Sequence, residues 1–174
     1  MKALIVYDSF FGNTEKIALA IGEVLKEDEN PVAIRVGEAH PEDIRDIDLL
    51  VVGSPTRKFQ ATPASKRFIK HIPKDMLTGI HVATFDTRIS AGDIKSSFLR
   101  FLVDRFGYAA KPLAGRLKRK GGLEITPPEG FIVTGTEGPL KEGELKRAKC
   151  WGKMIRQLVL ESHAEKPVAH EPVE

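Results

Sequence analysis

Short runs of apolar residues, separated by segments with a helical period, extend along most of this chain. The first run, KALIVYD at 2–8, is continuous rather than alternating, which is typical of a strand covered on both faces of a parallel sheet. Similar runs follow at 32–36 (VAIRV), 49–53 (LLVVG), 81–85 (HVATF) and 131–135 (FIVTG). Five buried strands alternating with helices predict a doubly wound α/β domain, with helices on both faces of its sheet.

The segments between these runs predict amphipathic helices. Residues 13–25 and 64–72 each predict one helix, and a long final helix spans 143–160. Trp151 falls within this last helix, and we expect it in the core rather than at a ligand. The apolar stripe of the final helix consists of small and aliphatic residues: Leu145, Ala148, Gly152, Ile155 and Val159.

The connection between the fourth and fifth apolar runs is too long for a single crossover helix. Residues 93–106 and 110–120 predict two helices in it, and 123–125 predicts an extra short strand. We therefore expect a helical insertion between strands 4 and 5, over residues 89–107. A connection that carries its own structure often has a function.

The end of the chain is polar and contains Pro167 and Pro172. We expect one domain over 1–162, followed by a flexible C-terminal tail over 163–174. The length of 174 residues suits one sizeable domain better than two.

Composition excludes several classes of protein. The formal charge of +3 is too small to indicate nucleic-acid binding. The single cysteine, Cys150, rules out an intrachain disulfide and favours a reducing, cytoplasmic location. The apolar runs are too short for a membrane span. The five histidines show no metal-ligand spacing, so we predict no metal site.

The candidate chemistry begins at the turn after the first strand, SFFGNT at 9–14. A doubly wound sheet binds ligands outside the carboxyl ends of its strands, and a helix N-terminus offers N–H groups to an anion. Ser9 and Thr14 add hydroxyl groups, and Gly12 permits close approach of the backbone. The turn predicts a phosphate site without Lys or Arg, and capping of the helix by Asn13 or Thr14 is a compatible alternative.

Other α/β interpretations of this turn lack their motifs. Neither the dinucleotide pattern G-x-G-x-x-G nor the phosphate loop G-x-x-x-x-G-K-[ST] follows the first strand. A phosphoacceptor domain would need a carboxylate at the end of the third strand, where this chain has Gly53-Ser54-Pro55.

Three segments together resemble the flavodoxin family. KALIVYDSFFGNTEKIA resembles the first strand and its [ST]-x-x-G-x-T phosphate loop, and LLVVGSPTRKFQATP resembles the third strand and the loop along the flavin ring. GFIVTGTEGPLKEGELKRAKCWGK resembles the fifth strand and last helix of single-domain members. The resemblance implies a five-stranded parallel sheet of order 2-1-3-4-5 and one bound FMN.

The same resemblance implies which residues hold the FMN. By match to the motif, the phosphate would lie against Ser9, Phe10, Phe11, Gly12, Asn13 and Thr14. The isoalloxazine ring would lie along Ser54, Pro55, Thr56, Arg57, Lys58, Phe59 and Gln60. The end of the fourth strand would form the other wall, with Thr84, Phe85, Asp86, Thr87 and Arg88.

The chain departs from the flavodoxin pattern in charge and in its loops. The loop at 57–60 contains no glycine, and the usual ring-stacking tyrosine after the fourth strand is missing, so Phe59 or Arg88 would cover the ring. Flavodoxins are usually strongly acidic, whereas this chain is basic, with a pI of about 9.0. We expect Arg57, Lys58 and Arg88 to make the flavin's reduction potential less negative.

The resemblance leaves more than one function open. We expect an electron carrier that acts with redox partner proteins of unknown identity, as a monomer or homodimer, without catalytic residues. The alternative is an FMN-dependent NAD(P)H/quinone oxidoreductase that uses residues 89–107 to build a pocket. A binding module that has lost FMN is disfavoured by the intact phosphate loop.

Overall fold

The structure, a computed structural model, describes residues 1–26, 33–90 and 108–164. Its parallel sheet contains β1 (Ala3–Tyr7), β2 (Ala33–Arg35), β3 (Leu49–Pro55) and β4 (His81–Ile89) in the order β2-β1-β3-β4. Two further strands, β5 (Leu123–Glu124) and β6 (Glu129–Val133), both pair with β4. The predicted strand order is therefore confirmed.

The fifth position of the sheet is divided between two strands, and β5 falls within the extra short strand that the sequence predicts at 123–125. β5 pairs with the start of β4 at His81 and Val82, and β6 pairs with its second half. Pro127 and Pro128 lie between them, and proline has no backbone N–H to donate to a ladder. β4 reaches Ile89, four residues beyond its apolar run, because β6 continues to pair with it there.

Within the described residues, the α-helices are α1 (Asn13–Leu25), α2 (Pro63–His71), α3 (Ala110–Lys118) and α4 (Glu144–Ala164), with a short 3-10 helix at Pro41–Ile44. The predicted helix at 93–106, with most of the predicted insertion, lies outside the described residues. Helix α4 includes the first two residues of the predicted tail, and the rest of that tail also lies outside the described residues. No helix in the described parts of the chain combines the length and the apolarity that crossing a bilayer requires.

Two hydrophobic cores cover the two faces of the sheet. Helices α1 and α4 pack on one face, where Phe85, Phe131 and Trp151 meet edge to face with ring centroids 5.8–6.2 Å apart. Helices α2 and α3 cover the other face. Trp151 is therefore a core residue, as predicted. Gly53 in β3 lies directly against Phe85, because a Cβ at position 53 would be 2.3 Å from the Cζ atom of that ring.

The outward side of β6 is bonded to the segment that follows it. The Ile132 N–H donates to Glu144 Oε2 at 2.8 Å, and the Ile132 carbonyl accepts from the Lys141 N–H at 2.9 Å. The Arg147 guanidinium donates to the Gly130 carbonyl and also pairs with Glu144. Side chains of α4 therefore fix the position of β6 relative to the helix.

Candidate functional site

A cavity of about 360 Å³ lies beyond the carboxyl ends of β1, β3, β4 and β6. This is the edge of a doubly wound sheet where ligands bind. Most of the predicted site residues line it: Ser9, Phe10, Phe11, Asn13, Thr14, Pro55, Thr56, Arg57, Lys58, Phe59, Thr87 and Arg88.

The turn between β1 and α1 borders this cavity through Ser9, Phe10, Phe11, Asn13 and Thr14. Gly12 precedes α1 with φ of 79°, a left-handed conformation that favours glycine. No acceptor within the described ranges engages the N–H groups of residues 10–14. Consecutive amides at a helix N-terminus, left without acceptors, form a concave site for an anion.

The side chains of Asn13 and Thr14 do not cap α1, which was the alternative interpretation of this turn from the sequence. Thr14 Oγ1 is 2.8 Å from Thr87 Oγ1, which links the turn to β4. Asn13 Nδ2 donates to the Glu137 carbonyl at 2.8 Å. Ser9 Oγ instead accepts the Glu15 N–H at 3.3 Å, and a hydroxyl that accepts one bond can still donate its own proton to a ligand.

The loop after β3 is a tight turn that carries two positive charges. Arg57 and Gln60 exchange backbone hydrogen bonds of 2.9 Å, while Lys58 and Phe59 have φ of 47° and 62°. Two successive residues in the left-handed region are the mark of a type I′ turn, where glycine and asparagine are favoured. The position of this loop is visible in the sequence, but its left-handed backbone is not.

Arg57 places a guanidinium beside the phosphate turn, which contains no cation of its own. Its Cζ atom lies 4.8 Å from the ring centroid of Phe10 and 5.8 Å from that of Phe11. Both rings are about half exposed, at 58% and 46%. The β3 loop therefore closes over the turn through cation–π contacts.

The wall at the end of β4 begins later than the sequence predicts. Thr84 and Phe85 lie inside the strand: Thr84 donates its hydroxyl to the Ala110 carbonyl, and Phe85 belongs to the core. Thr87, Arg88 and Ile89 line the cavity instead, because β4 extends to Ile89.

Asp86 supports this wall from behind, with no exposed surface. Its carboxylate accepts hydrogen bonds from Arg88 Nε and, at 2.8 Å, from the Ala110 N–H. Thr56 Oγ1 accepts the Ala109 N–H at 3.1 Å, and the Thr56 hydroxyl favours the ionised form of Asp86, which lowers the pKa of this carboxyl. Burial raises the pKa of the Asp86 carboxyl, against the opposing effects of Arg88 and these donors.

Tyr108 supplies an aromatic ring at this wall, and it was not among the residues predicted from the sequence. Arg88 Cζ lies 3.9 Å from the Tyr108 ring centroid, and Tyr108 lines the cavity. The missed position is far from β4 in sequence, so only the return of the chain to this edge brings it here. Phe59 and Arg88, the predicted ring-covering groups, also line the cavity.

The loop after β6 completes the cavity, with Val133, Gly135 and Thr136. The rule that ligands lie at the carboxyl ends of parallel strands would have pointed to these residues. Gly12, Ser54 and Gln60 do not line the cavity: Ser54 bonds to the Thr62 N–H at 3.1 Å, and Gln60 accepts a bond from Lys66.

The cavity offers groups for binding an anion and a flat apolar body, but no metal ligands. Within residues 1–26, 33–90 and 108–164, no cluster of His, Cys, Asp and Glu is arranged to hold a metal ion. Among the described residues, the lining combines the turn whose amides at 10–14 have no acceptor with aromatic and cationic side chains. The chemistry of this donor set fits a phosphate ester joined to a planar ring.

Comparison with known proteins agrees with this arrangement. The family model for the flavodoxin domain matches residues 4–120. Two solved structures are similar in fold. Oxidised flavodoxin 1 from Bacillus cereus has a TM-score of 0.69 and 19% identity, covering 90% of this chain and 98% of that chain. A flavodoxin from the domain Archaea has a TM-score of 0.70 and 21% identity, covering 92% of this chain and 99% of that chain.

A curated protein is related over nearly its whole length. The NAD(P)H dehydrogenase (quinone) of Archaeoglobus fulgidus is 24% identical, covering 90% of this chain and 96% of that protein. Since the family model covers more than half of the sequence, this chain belongs to the flavodoxin-domain family.

Proposed function

We propose that this chain binds FMN in the cavity at the carboxyl edge of the sheet and transfers electrons through it. FMN as cofactor and electron transfer as activity follow from membership of the flavodoxin-domain family. When bound, FMN would accept and donate electrons one or two at a time, and the protein would set its potential.

The observation that carries the proposal is the row of amides at residues 10–14, which have no acceptor in the part of the chain that the structure describes. A phosphate there would accept several N–H bonds at the positive end of the α1 dipole. Ser9 and Thr14 would add hydroxyl donors. No cation within residues 9–14 is required, since the amides and the helix end supply the positive potential.

The ring system would occupy the other end of the cavity. Phe59 and Tyr108 offer aromatic surface, and Lys58 and Arg88 offer positive charge, with Arg57 beside the phosphate turn. A flat apolar ring with polar edges matches a wall of this composition. These side chains would orient the ring and exclude water from one of its faces.

Electron transfer needs no proton-transfer group that touches a substrate. Asp86 is fully buried behind Arg88 and does not line the cavity, so it is a poor candidate for an acid or base acting on a substrate. We propose redox partner proteins, a single domain over 1–162 and a cytoplasmic location.

The first test is the visible spectrum of the purified protein and the mass of whatever heating releases. We expect a yellow protein that releases FMN and that, once stripped, takes it up again at micromolar concentration. A colourless protein that fails to bind FMN would overturn the proposal.

A charge variant tests the phosphate end directly. Phe11→Glu adds a carboxylate beside the amides and should weaken FMN binding about tenfold. Leu19→Glu is the matched control: Leu19 is also an exposed apolar residue, 50% exposed, but lies outside the cavity. Equal FMN affinities for the two variants would show that the phosphate lies elsewhere.

A second function, NAD(P)H/quinone oxidoreductase, is favoured by the relationship to the Archaeoglobus protein of that name. Steady-state oxidation of NADH or NADPH with added quinone distinguishes it from a carrier. Turnover of about ten per second or more would identify an enzyme. Oxidation no faster than free FMN would favour the carrier.

A further inference from the structure

A second cavity of about 700 Å³ adjoins the first on the side of α3. One wall is the face of α3 that carries Lys111, Ala114, Gly115 and Lys118, and the other is the segment between β5 and β6. Its size is in the range of sites for small organic ligands. Nothing in the proposed electron-transfer role uses it.

Helical spacing places two lysines at the two ends of a small-residue surface. Positions 111, 114, 115 and 118 lie on one face of α3, since residues three and four apart are neighbours on a helix. A Cβ at Gly115 would meet no atom within 4 Å, so the middle of this wall is open. The wall therefore has cationic ends and a flat, uncharged centre.

The charges that face this cavity are mostly positive. Lys111 has no ion-pair or hydrogen-bond partner among the described residues, and Lys118 pairs with Glu124 at 2.9 Å. Arg88 lines the same cavity, with Asp86 behind it. Three cations against one facing carboxylate favour an anionic ligand, and Lys111 is the cation left for it.

The wall opposite α3 is suited to an organic body rather than to an ion alone. Ile125, Pro127 and Pro128 line it, and Thr126 adds a hydroxyl group between them. Proline and aliphatic side chains provide an apolar surface without a backbone donor. A planar molecule would lie between this surface and the small residues of α3.

We propose that this second cavity binds a small organic phosphate, with its anionic group at Lys111 and its body between α3 and the proline segment. Charge-assisted bonds from lysine to phosphate give the affinity, and the apolar walls select the organic part. The cavity is built from protein groups alone, so this binding does not depend on the electron-transfer proposal.

The position of the cavity couples it to the first one. Arg88 and Tyr108 line both cavities and stack on one another, so the pair forms the partition between them. An anion at Lys111, in the cavity that Arg88 also lines, opposes added negative charge on the other side of the partition. The bound phosphate therefore makes the FMN potential more negative, a coupling that rests on the proposed function.

Calorimetric titration of the purified, FMN-loaded protein tests the site, with three probes: adenosine 5′-monophosphate, adenosine and inorganic phosphate. We expect the monophosphate to bind at least tenfold more tightly than either of the others. If adenosine or inorganic phosphate binds as tightly as the monophosphate, the assignment of an organic phosphate is wrong. If the monophosphate does not bind, the cavity is not a site for it.

Two variants locate the binding. Lys111→Gln should weaken binding of the monophosphate threefold to tenfold, as loss of one charge-assisted contact does. Lys153→Gln, an exposed lysine of α4 on the other face of the sheet, is the control and should bind as the native chain does. Equal effects of the two variants would contradict the site.

The coupling is measured separately, as the reduction potential without monophosphate and at a concentration that half-saturates the native chain. A more negative potential in the native chain, with a smaller shift in Lys111→Gln at the same concentration, supports the partition. An unchanged potential in a native chain that binds the monophosphate overturns the coupling. A protein without FMN overturns the electron-transfer proposal instead, while titration of that protein still tests the second cavity.

Discussion

Asp86 holds the wall between β4 and α3 together, and it does so at an electrostatic cost. Its carboxylate is fully buried, and burial raises the pKa of this group above its value in the unfolded chain. The folded protein therefore binds the Asp86 proton more tightly than the unfolded chain does. Its contribution to stability is largest below pH 4 and decreases as the pH rises towards the folded-state pKa.

Asp86→Asn removes this titration and keeps the shape of the side chain. We expect the free energy of unfolding of the native protein, minus that of the variant, to be larger at pH 4 than at pH 7. Urea unfolding at a series of pH values measures both proteins. A difference that grows with pH would mean that Arg88 and the N–H donors outweigh burial.

Arg57 and Arg88 are expected to affect the flavin potential differently. Arg57 has no acidic partner among the described residues, whereas Arg88 is paired with Asp86. Arg57→Gln should make the potential more negative by about 20–50 mV, since the charge lies near the cavity but is exposed to solvent. Arg88→Gln should change it less than Arg57→Gln.

Redox titration against a reference dye measures these potentials. Lys74→Gln provides a control, since Lys74 is an exposed cation in the connection that enters the opposite edge of the sheet. A shift in this control as large as that of Arg57→Gln would show that net charge, rather than position, sets the potential.

Among the elements, the turn at 57–60 stores backbone strain beside the cavity. Lys58 and Phe59 both have positive φ, which costs about 1–2 kcal/mol for a residue with a Cβ. Lys58→Gly removes the amine and relieves this strain, while Lys58→Ala removes the amine alone. We expect the glycine variant to be more stable than the alanine variant by about 1 kcal/mol in urea unfolding.

If the two Lys58 variants unfold at the same urea concentration, the turn is not strained in the folded protein. A lower FMN affinity of the glycine variant would then indicate that the turn must be rigid for binding. Strained backbone of this kind often occurs at binding loops.

The contact between β3 and β4 depends on the absence of a side chain at Gly53. A Cβ there would lie within 3 Å of three ring atoms of Phe85, which is packed against Phe131 and Trp151. Gly53→Ala should therefore destabilise the protein by about 1–3 kcal/mol. Gly37→Ala, where no atom lies within 4 Å of the added Cβ, should change stability by about 0.5 kcal/mol or less.

Thermal or urea unfolding of both glycine variants gives the comparison. Equal losses of stability would mean that the Phe85 ring moves aside at little cost. In that case the aromatic cluster would be less tightly packed than its ring distances indicate.

Element positions followed from the sequence wherever burial alone determines them. α1 begins and ends where its apolar stripe predicts, and the first apolar run encloses β1. β4 was predicted too short, because Asp86 and Arg88 look like loop residues until their mutual ion pair is known. The start of β6 was missed for the same reason: Glu129 is held by Arg147 of α4.

The site residues that directly follow a predicted strand could be inferred from the sequence. The turn at 9–14 and the loop at 55–59 follow directly from strands, so their place at the carboxyl edge could be inferred. Tyr108 could not be inferred, since a long connection separates it from the motifs, whereas Thr136 follows the predicted fifth strand directly and could have been inferred. The second cavity depends on the break between β5 and β6, which no periodicity describes.

For the whole molecule, the distribution of charge should govern electron exchange with small reagents. The chain carries a net charge of +3, and Arg57, Lys58 and Arg88 lie at the cavity. Reoxidation of the reduced protein by ferricyanide, an anion, should become slower as salt is added. Reoxidation by hexaamminecobalt(III), a cation, should become faster over the same range.

Stopped-flow absorbance at several ionic strengths gives both rates. The two oxidants are each other's control, since changes in protein conformation would affect them alike. Parallel salt effects would show that the potential around the cavity is close to neutral.

The hydrogen bonds on the outward side of β6 hinder pairing of this strand with a strand of another molecule. An exposed strand edge invites another chain to extend the sheet, which is a common route to aggregation. Here Glu144, Lys141 and Arg147 already occupy the amide and carbonyl groups that an incoming strand would need. The opposite margin, β2, spans three of the described residues, Ala33–Arg35. Neither margin, as far as the structure describes it, gives a neighbouring molecule a long template, so crowded solutions should not drive this chain into fibrils.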